Sequence, residues 1–215
     1  MRRKKKDANR LEFKIITLGN SGVGKTSIIN KFVHLDFIEN NLSTIGIEFS
    51  AKELILKNNQ KILLKIIDTG GQEKFKSLSS SYFKHADGVF FVFALNNKQS
   101  FFQIKDWIEI FKENSDNNNI PKYLVGNKCD LLNNIEVGQQ LIDDFRKNNG
   151  DMIYFETSAK DNINIEKMFE EMGEILYEEY LKSGRAANTQ NKLQLENKNQ
   201  NKKKKNCCQI SENKY

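Results

Sequence analysis

Short apolar runs alternate with stretches of helical periodicity along most of the chain, which is the pattern of a parallel sheet covered by helices. Phe13–Leu18 reads as the first strand, and Gly88–Leu95 and Lys122–Val125 read as buried parallel strands. Phe49–Lys57 and Lys61–Ile67, joined through Asn58-Asn59, read as an antiparallel hairpin, and Met152–Phe155 as the last strand. Between these runs, apolar residues recur at core-facing helical spacing in Lys25–Leu35, Gln99–Lys112, Val137–Asn148 and Ile165–Leu181. After Lys182 the apolar content collapses into Asn, Lys and Gln, so residues 183–215 read as a flexible tail and residues 1–10 as another. That leaves residues 11–182 as one domain, a size at which a single well-buried α/β core forms.

Charge sharpens this division. The chain of 215 residues carries a net +6, yet residues 1–10 hold six Lys and Arg against one acid, and residues 183–215 hold eight against two. The difference leaves residues 11–182 at −5. The basic character therefore belongs to the tails, which argues against a nucleic-acid-binding domain and for an anionic surface, such as a membrane, met at one end. No run approaches the length needed to span a bilayer, and no secretion signal is visible. Three cysteines, two of them adjacent at Cys207-Cys208, give no disulfide framework and no metal-ligand spacing, as in a reducing compartment.

The chemistry is concentrated at predicted strand ends. Gly19-Asn20-Ser21-Gly22-Val23-Gly24-Lys25-Thr26, with Ser27 following, fits G-x-x-x-x-G-K-[ST] between the first strand and the first helix. Backbone N–H groups there can wrap a phosphate, Lys25 can reach the β/γ-phosphates and the Thr26 hydroxyl can ligate Mg²⁺. Asp68-Thr69-Gly70-Gly71-Gln72-Glu73 begins at a strand end, where Asp68 can hold Mg²⁺ through a water, the Gly71 N–H can approach a γ-phosphate and Gln72 can orient water. Asn127-Lys128-Cys129-Asp130 can read guanine: the Asn127 amide can face the O6/N7 edge, and Asp130 can accept from N1–H and the 2-amino group, a donor pair adenine lacks. Glu156-Thr157-Ser158-Ala159-Lys160 follows the last strand, where its N–H groups can meet the guanine O6. Lys128 and Lys160 can lay their stems along the faces of the base. Phe37, after the first helix, can stack on the same ligand or belong to the core.

These motifs, in this order and spacing, resemble the Ras superfamily of small GTPases over residues 11–182, and within it the Rab branch. The Rab likeness lies in Ser43-Thr44-Ile45-Gly46-Ile47-Glu48-Phe49, in the run from Asp68 to Phe75, in Tyr82-Phe83-Lys84-His85-Ala86-Asp87-Gly88 and in the paired cysteines. The resemblance implies an α/β P-loop NTPase fold: a six-stranded, mostly parallel sheet with one antiparallel strand and helices on both faces. It implies bound GTP or GDP with Mg²⁺, two switch loops around Thr44 and Gln72, and Thr44 on the metal and γ-phosphate in the GTP state. It also implies an effector surface that includes Ile45, Phe49, Ile67 and Tyr82. Gly70 stands where the family usually has Ala, and Ile67 where Rab proteins usually have Trp, which reduces an aromatic patch shared with Phe49 and Tyr82.

The activity implied is hydrolysis of GTP to GDP by a switch that regulates vesicle and membrane traffic by recruiting effectors. The only arginine outside the tails is Arg146, so no internal arginine finger is evident, and slow turnover with need of an activating protein follows. A nucleotide exchange factor, a prenylation escort and a GDP-dissociation inhibitor complete the implied partners; no specific nucleic acid is expected. Lys202–Lys205 followed by Cys207-Cys208 fits a lipid-plus-polybasic anchor, with both cysteines geranylgeranylated, on the cytoplasmic face of intracellular membranes in exchange with the cytosol. The terminal tetrapeptide does not begin with Cys, which excludes the C-a-a-X route. The readings set against this are a GTP-binding interaction module with little or no hydrolysis, a Ras-type signalling GTPase, and an adenine-nucleotide kinase or ATPase, which Asp130 disfavours.

Overall fold

The structure is a computed structural model that describes residues 10–34, 44, 46–70, 80–150 and 152–184. By contacts the chain divides after Leu176, and the described part of its second unit is the end of the last helix with Ser183 and Gly184, where Lys182 pairs with Glu178 at 3.5 Å. In order, the elements are β1 (Leu11–Leu18), α1 (Lys25–His34), β2 (Ile47–Ile55), β3 (Lys61–Thr69), α2 (Ser80–Phe83), β4 (Gly88–Ala94) and α3 (Lys98–Phe102). They continue with α4 (Ile104–Asn114), β5 (Lys122–Asn127), α5 (Gln139–Asn148), β6 (Ile153–Thr157) and α6 (Ile165–Lys182). No described helix is long and apolar enough to cross a membrane.

The six strands lie in the order β2-β3-β1-β4-β5-β6, and only β2 runs antiparallel to its neighbour. The β2–β3 turn is made through Asn59, a non-glycine residue at φ 62°, where an Asn side chain is tolerated. Every residue of β4 is buried, because helices cover both faces of the sheet and its side chains alternate between them. Phe90 points to one face, with its ring centroid 5.1 Å from Phe169 and 5.5 Å from Tyr123, and Phe32 stacks on Phe169 at 3.9 Å. Phe91 and Phe93 point to the other, against Phe111 and Phe101.

Most elements lie within two or three residues of their expected bounds; the expected helix over Gln99–Lys112 does not form as one piece. It is two helices, α3 and α4, meeting at Gln103. The apolar spacing Phe101, Ile104, Trp107, Ile108, Phe111 runs through the junction without a break, so periodicity alone could not mark it. Asn97 caps the start of α3 by accepting from the Ser100 N–H at 2.9 Å, and at the junction Gln103 takes φ −75° and ψ −6° with its side chain directed to Asn20. The short α2 was not expected, and the hairpin's first strand starts two residues early and ends two early.

The parallel strands place their C-terminal ends on one edge. Thr17 is level with Asp68, Leu18 with Phe91, Ala94 with Asn127, and Asn127 with Thr157. Segments scattered over more than a hundred residues of sequence therefore converge there, the edge at which open α/β sheets bind ligands.

Candidate functional site

The loop after β1 closes on itself because two of its glycines cannot be replaced in place. Gly19 has φ +149°, and a Cβ there would fall 2.1 Å from the Val92 carbonyl oxygen. Gly24 has φ +98°, and its Cβ would fall 2.3 Å from Asn127 Nδ2. Only glycine lets this backbone pass so close to β4 and β5. Lys25 starts α1 and folds its ammonium back over the loop, donating to the carbonyls of Gly19 at 2.8 Å and Asn20 at 2.9 Å. Burial lowers its pKa to about 8, partly offset by the Asp68 carboxylate. In this arrangement Lys25 is held where an anion can recruit it.

At the end of β3, Asp68 is buried, and burial pushes its carboxyl above the usual range, against the opposing hydrogen bond from Thr26 and the charge of Lys25. The Thr26 hydroxyl donates to Asp68 Oδ2 at 2.5 Å and lies 2.6 Å from the Thr44 hydroxyl. Asp68 Oδ1 is buried with no hydrogen-bond partner among the described residues. A carboxylate with an orphaned oxygen beside two converging hydroxyls is a hard-oxygen donor set of the kind Mg²⁺ takes, so the residues present fit that ion. The Gly70 N–H donates to Gly46 O at 2.9 Å, which ties together the segments that lead into the two expected switch loops.

At the end of β5, Asn127 and Lys128 hold the Gly19–Thr26 loop from the far side. Asn127 Nδ2 donates to Val23 O at 2.9 Å, and Lys128 Nζ donates to Gly22 O at 2.7 Å. Lys128 takes φ 67°, which turns its side chain back toward that loop. Asp130 accepts from the Ser158 hydroxyl at 2.7 Å, and Ser158, wholly buried, in turn accepts from the Asp161 N–H. One oxygen of Asp130 is fixed in this way, which aims the carboxylate. Burial lowers the Lys128 pKa, and Asp130 opposes the shift.

One side chain has partners that were not expected, and one expectation changes. Asn127, expected to face the guanine O6/N7 edge, is 2 % exposed, and its Oδ1 accepts from Thr157 Oγ1 at 3.2 Å and the Ala159 N–H at 3.4 Å. With Val23 taking one N–H, most of its hydrogen-bonding capacity joins the phosphate loop to the segment after β6. Ile67, expected on the effector surface, is 1 % exposed and belongs to the core, while its register partner Phe49 is 64 % exposed with its ring 5.6 Å from Tyr82. An aliphatic side chain of this size is drawn into the core instead of lying open beside the rings.

Ser21 and Gly22 are exposed, Val23 is buried, Ser27 lies in the first turn of α1, and Lys160 is exposed beyond β6. Phe37, Ile45, Gly71, Gln72, Cys207 and Cys208 lie outside the described residues. Sequence reasoning missed Trp107 and Gln103, whose side chains reach Asn20; an aromatic at a core-facing helical position carries no sign of such a contact. Cys129 sits at the core's edge, and Arg146 is committed to Met152 O at 2.6 Å.

A model of the Ras family matches residues 14–178. The chain belongs to the Ras family of small GTPases. Its relatives place it in the Rab branch. It is 33% identical over 201 residues to the Ras-related protein Rab-13 of Bos taurus, covering 93% of this chain and 96% of that protein. It is 38% identical over 157 residues to human Rab-30, covering 73% and 76%, and 36% identical over 163 residues to Rab-7a of Paramecium octaurelia, covering 74% and 79%. The fold expected from the resemblance, six strands with one antiparallel, is the one observed. The chain is thus a GTPase that binds GTP and GDP, and its general partners are exchange factors, activating proteins and effectors.

Proposed function

We propose that this chain is a Rab-type switch in intracellular membrane traffic, that Gly19–Ser27 holds the phosphates and that Asp130 reads the guanine base. The observation that carries this reading is the double grip of Asn127 and Lys128 on Val23 and Gly22, beside an Asp130 fixed by Ser158. It makes the phosphate loop and the base-selecting carboxylate one body, so the pocket measures a guanine nucleotide's length as well as its base.

Thr26, Thr44 and Asp68 would hold Mg²⁺, which when bound neutralises charge on the phosphate oxygens. Lys25 exchanges its two carbonyl partners for phosphate oxygens, and the loop N–H groups orient the γ-phosphate. Gln72 positions the water that attacks the γ-phosphorus in line with the bridging oxygen, which leaves with GDP. The arginines Arg10 and Arg146 are engaged with Glu53, Met152 O and Asp143, so neither is offered to the phosphates. Intrinsic hydrolysis is slow for this reason, and an activating protein supplies the missing cation. Exchange likewise needs a catalyst.

Residues 11–182 constitute the switch domain in this reading. Residues 183–215 carry it to the cytoplasmic face of a membrane through prenylated Cys207 and Cys208 and the lysines before them, with an escort protein and a GDP-dissociation inhibitor in the cycle. Phe49 and Tyr82 present the aromatic surface to effectors.

The test is competition for protein loaded with fluorescent GDP. GTP displaces it at near-equal concentration, while ATP in about 1,000-fold excess does not, since a donor pair read by a fixed, half-buried carboxylate is worth at least that factor. Asp130→Asn shifts the preference toward xanthine nucleotides, whose ring offers the complementary pattern. Equal displacement by ATP and GTP refutes the base assignment.

A further inference from the structure

The Asn20 carboxamide ties the phosphate loop to helix α4. Its Oδ1 accepts from Trp107 Nε1 at 2.8 Å, and its Nδ2 donates to Gln103 Oε1. The backbone oxygen of the same residue receives the Lys25 ammonium at 2.9 Å. Gln103 and Trp107 stand one turn apart, with the Trp107 N–H on the Gln103 carbonyl, so both side chains leave one face of the helix. Trp107 is buried in the core on that side of the sheet, so its indole N–H is a fixed point. Gln103 stands at the start of α4 but makes no side-chain cap there. A capping side chain at that position would stabilise α4, and this chain instead directs the amide across to Asn20. Fitting between an indole donor and an amide acceptor requires a side chain that accepts and donates from adjacent atoms, which Asn20 does.

We propose that Trp107 and Gln103 are positioning residues for nucleotide binding, acting through Asn20, the second residue of the phosphate loop. The clamp holds the Asn20 carbonyl in place when the Lys25 ammonium leaves it for a phosphate. The loop therefore keeps the same shape with and without ligand, and its shape is set from α4. This inference rests on reading Gly19–Thr26 as the phosphate loop. It assigns a reason to the break between α3 and α4, since a continuous helix with a capped or solvent-turned Gln103 would lose one side of the clamp.

The experiment uses the full chain and the variants Trp107→Phe, Asn20→Ala and their double. Trp107→Phe keeps the ring and removes the N–H, and Asn20→Ala leaves the core untouched. GDP dissociation, followed with a fluorescent analogue in excess Mg²⁺, is expected to quicken by about 5–10-fold in Trp107→Phe, the size of one hydrogen bond, and by at least as much in Asn20→Ala, which also loses the bond to Gln103. The double variant is expected to be no faster than the faster single, because the two changes remove the same bond. Trp107 is the only tryptophan of the chain, so its emission reports on Asn20 directly. In Asn20→Ala it shifts to shorter wavelength, with or without nucleotide, as its N–H loses the amide oxygen. Unchanged dissociation in both singles, effects that multiply in the double, or unchanged emission in Asn20→Ala each overturn the clamp. A wild-type protein that binds no guanine nucleotide overturns the phosphate-loop reading and the clamp together, whereas normal binding with unchanged rates overturns the clamp alone.

Discussion

Replacing Asn127 by Ala tests whether this side chain serves the base or the protein. The substitution removes three hydrogen bonds at a position 2 % exposed: to Val23 O at 2.9 Å, from Thr157 Oγ1 at 3.2 Å and from the Ala159 N–H at 3.4 Å. The Thr157 hydroxyl can rotate to another acceptor, so the groups left without a partner are the Val23 carbonyl and the Ala159 N–H. Each costs about 1–3 kcal/mol when buried and unpaired, and the longer Ala159 bond belongs at the low end. The expected loss is then about 2–4 kcal/mol, or a fall in Tm of roughly 5–15 °C for a domain of this size.

Asn127→Asp sharpens the test, because it keeps an acceptor for Thr157 and Ala159 but sets a carboxylate oxygen against Val23 O. It is expected to be at least as damaging despite being nearly isosteric. The assay is thermal unfolding together with hydrogen exchange at the amides of residues 19–26 and 157–160, on GDP-loaded protein. Exchange is expected to rise in both segments, because the strap joins them. The strap is present with and without nucleotide, so its loss is read as stability and not as a fall of the same size in GDP affinity. A variant whose Tm and exchange match the wild type while GDP affinity falls would falsify the strap and return Asn127 to the base edge.

Three further outcomes follow from the site. Gly19→Ala is expected to destabilise by about 2–3 kcal/mol or more, since its Cβ would meet the Val92 carbonyl oxygen at 2.1 Å in a backbone that cannot move without disrupting β4; a Tm within 2 °C of wild type contradicts this. With nucleotide and magnesium removed, Lys25 titrates at about 8 in the folded chain against 10.5 in the unfolded one, so between those values the unfolded state binds more protons and stability rises with pH. The rise from this group amounts to about 3 kcal/mol, and denaturant midpoints that run parallel for wild type and Lys25→Met across that window refute it. Gly70→Ala keeps the N–H that donates to Gly46 and removes about 0.5–1 kcal/mol of backbone freedom, so single-turnover GTP hydrolysis is expected to quicken by about 2–5-fold; an unchanged rate dissociates Gly70 from ordering of the second switch.

What the sequence disclosed, and what it concealed, follows one physical line. The strands, the hairpin and the glycine-rich loop were legible because each rests on local patterns: a buried parallel strand reads as an apolar run, and a loop of this kind needs its glycines at fixed spacing. The place of Asp130 just beyond a parallel strand was legible for the same reason. The bonds of Asn127 to Val23, Thr157 and Ala159 were not legible, because an Asn amide is competent for a ligand and for the protein alike, and only the positions of those residues in space bring it to them. Ile67 was misplaced because β3 is buried on both faces at that end, and a strand position does not announce whether a bulky aromatic or a compact aliphatic side chain will turn inward. Trp107 and Gln103 were invisible: their contact with Asn20 spans more than eighty residues of sequence, and nothing in the periodicity of α4 distinguishes an indole that fills the core from one that also holds a loop. In each miss the residue type was compatible with two roles, and the choice was made by a long-range contact. The roles that sequence reasoning assigns from donor and acceptor inventory are thus firmest where a residue has one chemical option and weakest for amides and indoles. This is why the variants that discriminate best here are the ones that alter Asn127, Asn20 and Trp107.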